Sequence, residues 1–173
     1  MAEPASQLFH SLDDFLAWEE RQEARYEFLP GRVIKMMAGG TGDHDAIAVN
    51  IVTALGPQLR GTGCRAHGAN LKVTSAAQQT STYPDAFVRC GPPVGEGTRT
   101  DDPVVVFEVL SESTASSDLT RKRQVYKAMP TVRVIVYVAS SAYRLDIFRR
   151  GPDGRFDDEV LEGADAVLAL PEI

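Results

Sequence analysis

Apolar residues recur along this chain in short blocks, some at helical spacing and some at strand spacing. Leu12, Phe15 and Leu16 form one stripe, and Ser11 with Asp14 three residues on supplies a capping pattern. A helix is therefore expected over 11–25. Runs at 26–29 and 32–36 flank Pro30-Gly31, a pair that suits a type II turn and predicts a hairpin. Residues 38–42, Ala-Gly-Gly-Thr-Gly, read as a flexible loop. Ile47, Ile51, Leu55 and Leu59 recur every four residues and predict a helix over 43–59, its last turn bent by Pro57, with Gly61 beyond its end. Runs at 70–74, 82–89 and 104–110 read as strands. The last is apolar at successive positions, as in a central strand covered on both faces. A Ser-rich loop at 111–117 leads to a helix over 118–129. Strands at 133–138 and 143–149 follow, joined by a turn around Ser140-Ser141, and one more apolar run covers 166–170. This order predicts a mixed sheet with helices packed on it, an α/β or α+β domain.

The length of 173 residues fits one domain over 1–173, with a core at 12–150 and a C-terminal extension at 151–173. Such a chain buries enough surface to need no disulfide staples. Hydrophobic residues make up 43% and charged residues 24%, with a mean hydropathy of -0.17, which excludes disordered, collagen-like and coiled-coil chains. No apolar run approaches the roughly 20 residues of a membrane span. The first residues, MAEPASQLFHSLDD, have neither a basic start nor an apolar stretch, so no secretory signal is expected. Two cysteines, Cys64 and Cys90, are too few for a disulfide scaffold and point to free thiols in a reduced, cytoplasmic chain.

The net charge is -6, which argues against a protein coated for nucleic acid. Yet residues 119–155 hold nine Lys and Arg against two Asp. That segment carries +7 and the remainder -13, so a local basic face is compatible with an acidic whole.

Two carboxylates stand inside apolar strands: Asp85 in Tyr83-Pro84-Asp85-Ala86-Phe87-Val88, and Glu108 in Val106-Phe107-Glu108-Val109-Leu110. A buried charge costs several kcal/mol unless it is paired or holds a metal. Alternation puts Glu108 on the face of Val106 and Leu110. In the following helix, Leu119, Lys122, Val125 or Tyr126, and Met129 share a face, so Lys122 points inward. Carboxylates that hold Mg²⁺ or Mn²⁺ through hard oxygens, with a lysine that steadies developing negative charge, make a phosphodiester-cleaving set. A structural salt bridge is the plain alternative for the same residues. Weaker signals compete. Gly39-Gly40-Thr41-Gly42 lacks the Gly-Lys-Ser/Thr ending of a phosphate loop. Cys64, His67 and Cys90 lack a fourth zinc ligand. No Gly-x-Ser-x-Gly elbow is present. Tyr83, Phe87, Tyr126 and Tyr137 read as core.

Taken in order, Tyr26-Glu27-Phe28-Leu29-Pro30-Gly31-Arg32-Val33, His44 opening a helix, Tyr83-Pro84-Asp85, Phe107-Glu108-Val109-Leu110-Ser111 and Asp118-x-x-x-Lys122-x-x-x-Tyr126 resemble the Uma-type family of bacterial proteins. That family is a restriction-endonuclease-like branch of the PD-(D/E)XK nuclease superfamily. The resemblance covers roughly 12–150. It implies a restriction-endonuclease-like mixed sheet flanked by helices, with an N-terminal helix and hairpin. It also implies that Asp85 and Glu108 ligate a divalent metal, with the backbone carbonyl of Val109 as an additional ligand. The superfamily lysine normally stands two residues after the glutamate, where this chain has Leu110. Lys122 matches the lysine moved to the following helix. Glu27 and His44 match further positions near the site.

The expectation is therefore a Mg²⁺- or Mn²⁺-dependent endonuclease acting on nucleic acid, DNA first. Arg121, Arg123, Lys127 and Arg144 are candidate phosphate contacts, and a homodimer brings two sites to two strands. The alternative is a catalytically inactive nuclease-fold module that binds nucleic acid or protein.

Overall fold

The computed structural model describes residues 9–36, 41–110 and 116–173. Most of the loop expected at 38–42, and most of the Ser-rich loop at 111–117, lie outside the described residues. The chain opens with α1 (Leu12–Glu19), β1 (Tyr26–Leu29), β2 (Arg32–Lys35) and α2 (Gly42–Gln58). Six strands follow: β3 (Cys64–Gly68), β4 (Lys72–Ser75), β5 (Thr80–Thr82), β6 (Ala86–Cys90), β7 (Arg99–Thr100) and β8 (Pro103–Leu110). The chain ends with α3 (Ser116–Ala128), β9 (Val134–Ala139), β10 (Arg144–Arg150) and β11 (Phe156–Glu162).

These elements form two sheets rather than the one expected, ordered β2-β1-β5-β4-β7 and β11-β10-β9-β8-β6-β3. Both are mixed: β4 pairs parallel with β7, and β8 parallel with β9. The split arises within the run at 82–89. Pro84 has no N–H to donate to a ladder, so the run breaks there, leaving β5 in one sheet and β6 in the other.

α1 begins at Ser11, whose hydroxyl accepts from the Asp14 amide, the capping arrangement read from the sequence. It ends at Glu19, earlier than expected, and packs Leu12, Phe15 and Leu16 against Tyr26 and Phe28 of β1. Gly31, at φ +73°, turns the β1–β2 hairpin. α3 lies between the sheets. Its Val125 and Tyr126, with Met129 just beyond its end, join Leu29 and Val73 of one sheet to Phe87, Val106, Ile135 and Phe148 of the other. The opposite face of the second sheet (Ala86, Val88, Val105, Phe107, Val134, Val136) is covered by Ile51, Val52 and Leu55 of α2 and by Leu168, Leu170 and Ile173 of the tail. β8 is thus apolar on both faces because both are covered.

The expectation of two free thiols is corrected. Cys64 and Cys90 stand directly opposite each other on β3 and β6 and are joined as a disulfide. A count of cysteines does not reveal a cross-strand register between residues 26 apart. The pairing also removes both cysteines from any zinc set with His67.

One surface arginine ties α3 to the second sheet. Arg150 donates to the carbonyls of Lys127 (2.8 Å), Met129 (2.9 Å) and Val132 (2.8 Å), and lies over the Phe156 ring at 4.5 Å. It satisfies carbonyls that the end of a helix leaves without partners. Arg150→Ala is expected to cost about 2 kcal/mol, lowering the Tm by about 4–8 °C. Arg150→Lys should recover little, because an ammonium lacks the planar fork that spans three carbonyls. Thermal denaturation of the two variants checks this.

Candidate active site

The break at Pro84 places Asp85 just outside β6. Ala86 pairs with Phe107, and the same register carried one place back sets Asp85 opposite Glu108. Oδ2 of Asp85 accepts from the Val109 amide at 2.7 Å, and Nε2 of His44, from the first turn of α2, lies 3.3 Å from the same oxygen. His44 is fixed in turn by the Thr41 cap, whose hydroxyl accepts from the His44 amide.

On β8, Glu108 shares the face of Val106, toward α3. Lys122 and Tyr126, one helical turn apart, meet it there. Nζ of Lys122 lies 2.8 Å from Oε1 and 3.0 Å from Oε2 of Glu108, and the Tyr126 hydroxyl donates to Oε1 at 2.6 Å. The same ammonium lies 3.0 Å from Oε1 of Glu27. Glu27 is buried because β1 is covered on both sides, by α1 and by α3. Five of the residues singled out in the sequence, Glu27, His44, Asp85, Glu108 and Lys122, therefore converge. Glu108 and Lys122 are buried, whereas the Asp85 and His44 side chains keep 18% and 24% exposure. The open side of the cluster is the Asp85–His44 side.

Burial pushes the Glu108 carboxyl up to about 7. Lys122 opposes that rise, and the nearby Asp85 and Glu27 charges add to it. Burial alone would lower Lys122, but the Glu108 and Glu27 carboxylates more than offset this and hold it well above the usual lysine range. The ammonium thus stays charged at neutral pH while Glu108 is near its midpoint. A carboxyl whose folded pKa exceeds its unfolded value stabilises the fold below the unfolded pKa, and that stability is lost as pH rises through the folded pKa. Without divalent cation, stability should fall between about pH 4.5 and 7.5 by up to about 3 kcal/mol from this group. The Lys122 contribution lies at much higher pH and leaves that window untouched. Urea denaturation at several pH values in EDTA reads the slope, and Glu108→Gln should remove it.

Asp85 and Glu108 supply hard carboxylate oxygens, with the His44 imidazole beside Asp85, a donor chemistry that fits Mg²⁺ or Mn²⁺. Among the described residues no group of three or more His, Cys, Asp or Glu side chains is clustered closely enough to hold a metal ion by itself. Such a cation would rely on water and substrate oxygens for its remaining ligands, as Mg²⁺ commonly does. Val109 enters the geometry through its amide, which fixes Asp85.

The four candidate phosphate contacts do not form one group: Arg123 and Lys127 share the Phe148 ring, whereas Arg121 and Arg144 engage other partners. Arg121 is exposed, its guanidinium 3.4 Å from the Pro30 carbonyl. Arg123 lies over the Phe148 ring at 4.7 Å. Lys127 sits between Phe148 and Phe156, 3.8 Å from Asp158. Arg144, at the start of β10, is engaged by Asp146 at 2.7 Å and Glu162 at 2.6 Å.

Tyr126 lies in the core, as the sequence reads, but its hydrogen bond to Glu108 was not foreseen. Its position four residues after Lys122 on one helix face was the available signal. A second buried pair was also missed: Lys72 and Glu19, 2.6 Å apart. No helix among the described residues is long and apolar enough to cross a membrane.

Comparison with known proteins bears on the fold and the family. A structure from Anabaena variabilis, described as a putative nuclease belonging to DUF820, superposes with a TM-score of 0.76 at 20% identity, covering 94% of this chain and 89% of that one. This supports the restriction-endonuclease-like fold. The uncharacterized protein slr1290 of Synechocystis sp. is 32% identical over 145 residues, covering 83% of this chain and 76% of its own. The uncharacterized protein sll1609 of the same organism is 22% identical over 158 residues, covering 90% and 89%. The model of the Uma2 family, described as "Putative restriction endonuclease", matches residues 12–173. The chain belongs to the Uma2 family.

Proposed function

We propose that this protein is a divalent-metal-dependent nuclease that hydrolyses phosphodiester bonds in nucleic acid, DNA first. One observation carries the reading: Asp85 and Glu108 face each other at the end of β6 and β8, and α3 delivers Lys122 to Glu108 at 2.8 Å. Asp85 and Glu108 would hold Mg²⁺ or Mn²⁺, and the cation, when bound, would polarise a phosphoryl oxygen and make a water more acidic.

The chain's own residues do the rest. The Val109 amide and His44 set the orientation of the Asp85 carboxylate. Tyr126 donates to Glu108, and Glu27 shares the Lys122 ammonium, holding it where negative charge develops on a phosphate entering from the Asp85–His44 side. Arg121 and Arg123 flank Lys122 in sequence and are the phosphate contacts this reading favours. Lys127 and Arg144, each beside a carboxylate, are weaker candidates. A homodimer places two such sites on two strands.

A non-catalytic nucleic-acid- or protein-binding module is the alternative. It is favoured by the fact that both oxygens of Glu108 already meet Lys122. Incubation with double-stranded DNA, single-stranded DNA and RNA, with Mn²⁺, Mg²⁺ or EDTA, separates the two. The nuclease reading requires metal-dependent cleavage of at least one substrate.

A further inference from the structure

A second buried ion pair lies behind the cluster, and nothing in the proposed chemistry uses it. Glu19, the last residue of α1, and Lys72, the first of β4, are both buried. A charge pair of this kind is often no more stabilising than an apolar pair of the same size, so its placement matters more than its strength. Oε1 of Glu19, whose Oε2 meets Lys72, accepts from the Tyr83 hydroxyl at 2.8 Å. Tyr83 is 4% exposed. Burial, with the hydrogen bond to Glu19, pushes the Tyr83 hydroxyl well above its usual range, so it remains a donor. The Tyr83 amide donates to Oε1 of Glu27 at 2.8 Å, the same oxygen that Lys122 approaches. Tyr83 is also the first residue of the Tyr83-Pro84-Asp85 passage between the two sheets. Pro84 donates nothing to either ladder, so side chains must hold this passage.

We propose that Tyr83 and Glu19 are positioning residues for the site. The Lys72-anchored Glu19 pins the Tyr83 hydroxyl. Tyr83, so held, fixes Glu27 through its amide and Asp85 through the rigid Pro84. The effect on catalysis rests on the nuclease reading above; the effect on geometry does not.

Tyr83→Phe, which removes one oxygen, is the direct test, read by amide hydrogen exchange, Mn²⁺ affinity and cleavage. Faster exchange is expected at position 83 and at Val109, the donor to Asp85, with Val134 and Ile147 in the second sheet unchanged. Mn²⁺ affinity and kcat should each fall about 10-fold or more, as when a supporting hydrogen bond behind a metal ligand is lost, with KM for nucleic acid unchanged. The double variant Glu19→Gln with Lys72→Met strands no charge and keeps an acceptor for the hydroxyl but removes its anchor, so both amides should exchange faster than in wild type and less so than in Tyr83→Phe. A lowered Tm in Tyr83→Phe with unchanged exchange at 83 and Val109 would overturn the proposal and leave the network merely stabilising. If wild type neither binds Mn²⁺ nor cleaves while the exchange contrast holds, the positioning stands and the nuclease reading falls.

Discussion

Asp85→Asn and Glu108→Gln should each lower metal-dependent cleavage by about 10³-fold, about 4 kcal/mol of transition-state stabilisation, while leaving the fold intact. The two changes are nearly isosteric. The asparagine side chain can still accept from the Val109 amide, and the glutamine side chain can still accept from Tyr126. What each change removes is a formal negative charge and a hard metal ligand. The stability readout should run opposite to the activity readout. Glu27 and Glu108 share the Lys122 ammonium, and the Glu27 and Asp85 charges both act against ionised Glu108, so neutralising Glu108 relieves repulsion. In EDTA, Glu108→Gln should be as stable as wild type or more so, in keeping with the general cost of building an active site. Single-turnover cleavage and thermal denaturation of the same preparations check both halves. A variant that lost activity by unfolding would fail the second half.

Lys122→Met should act in the opposite direction on stability. The methionine fills most of the lysine's volume but leaves Glu27 and Glu108 buried without their shared cation. Breaking a buried ion pair from one side costs about 3–5 kcal/mol, a fall in Tm of roughly 10 °C for a chain of this size. Because the loss comes from stranded carboxylates rather than from lost packing, adding Glu108→Gln should recover part of it. This coupling separates a charge cluster from two independent contacts. Cleavage should be lost in both the single and the double variant, since neither has a cation to meet charge developing on the phosphate.

The parts of this site that were legible in the sequence were those where residue chemistry clashes with its surroundings. Glu108 among valines, and Lys122 on the inward stripe of a helix, are costly placements unless they meet. The periodicities of strand and helix alone put both on facing surfaces. Glu27 and His44 had no such signal. A glutamate beside Phe28 in a hairpin looks exposed until both faces of β1 are covered, and that depends on where α1 and α3 pack. The Thr41 cap and the Asp85 contact of His44 depend on tertiary placement in the same way. The two-sheet division was hidden because β5 and β6 lie almost end to end in sequence, and Pro84 reads as a strand edge rather than a passage between sheets. β3 and β11 were missed for a compositional reason. Cys64–Gly68 sets Arg65 and His67 among small residues, and Phe156–Glu162 is acidic at four of its seven positions; edge strands with one face in water lack the apolar run that marks β8. The disulfide and the Glu19–Lys72 pair are contacts between distant segments, outside the reach of local pattern.

If Asp85 and Glu108 together hold a catalytic divalent cation, calorimetric titration with Mn²⁺ reads that cation without a substrate. Wild type should bind Mn²⁺ at one site per chain, and the Asp85→Ala, Glu108→Ala double variant should show no binding while remaining folded. Absence of binding to wild type up to about 10 mM, with or without a short DNA duplex, would contradict the account and leave a non-catalytic member of the fold. So would binding that survives in the double variant.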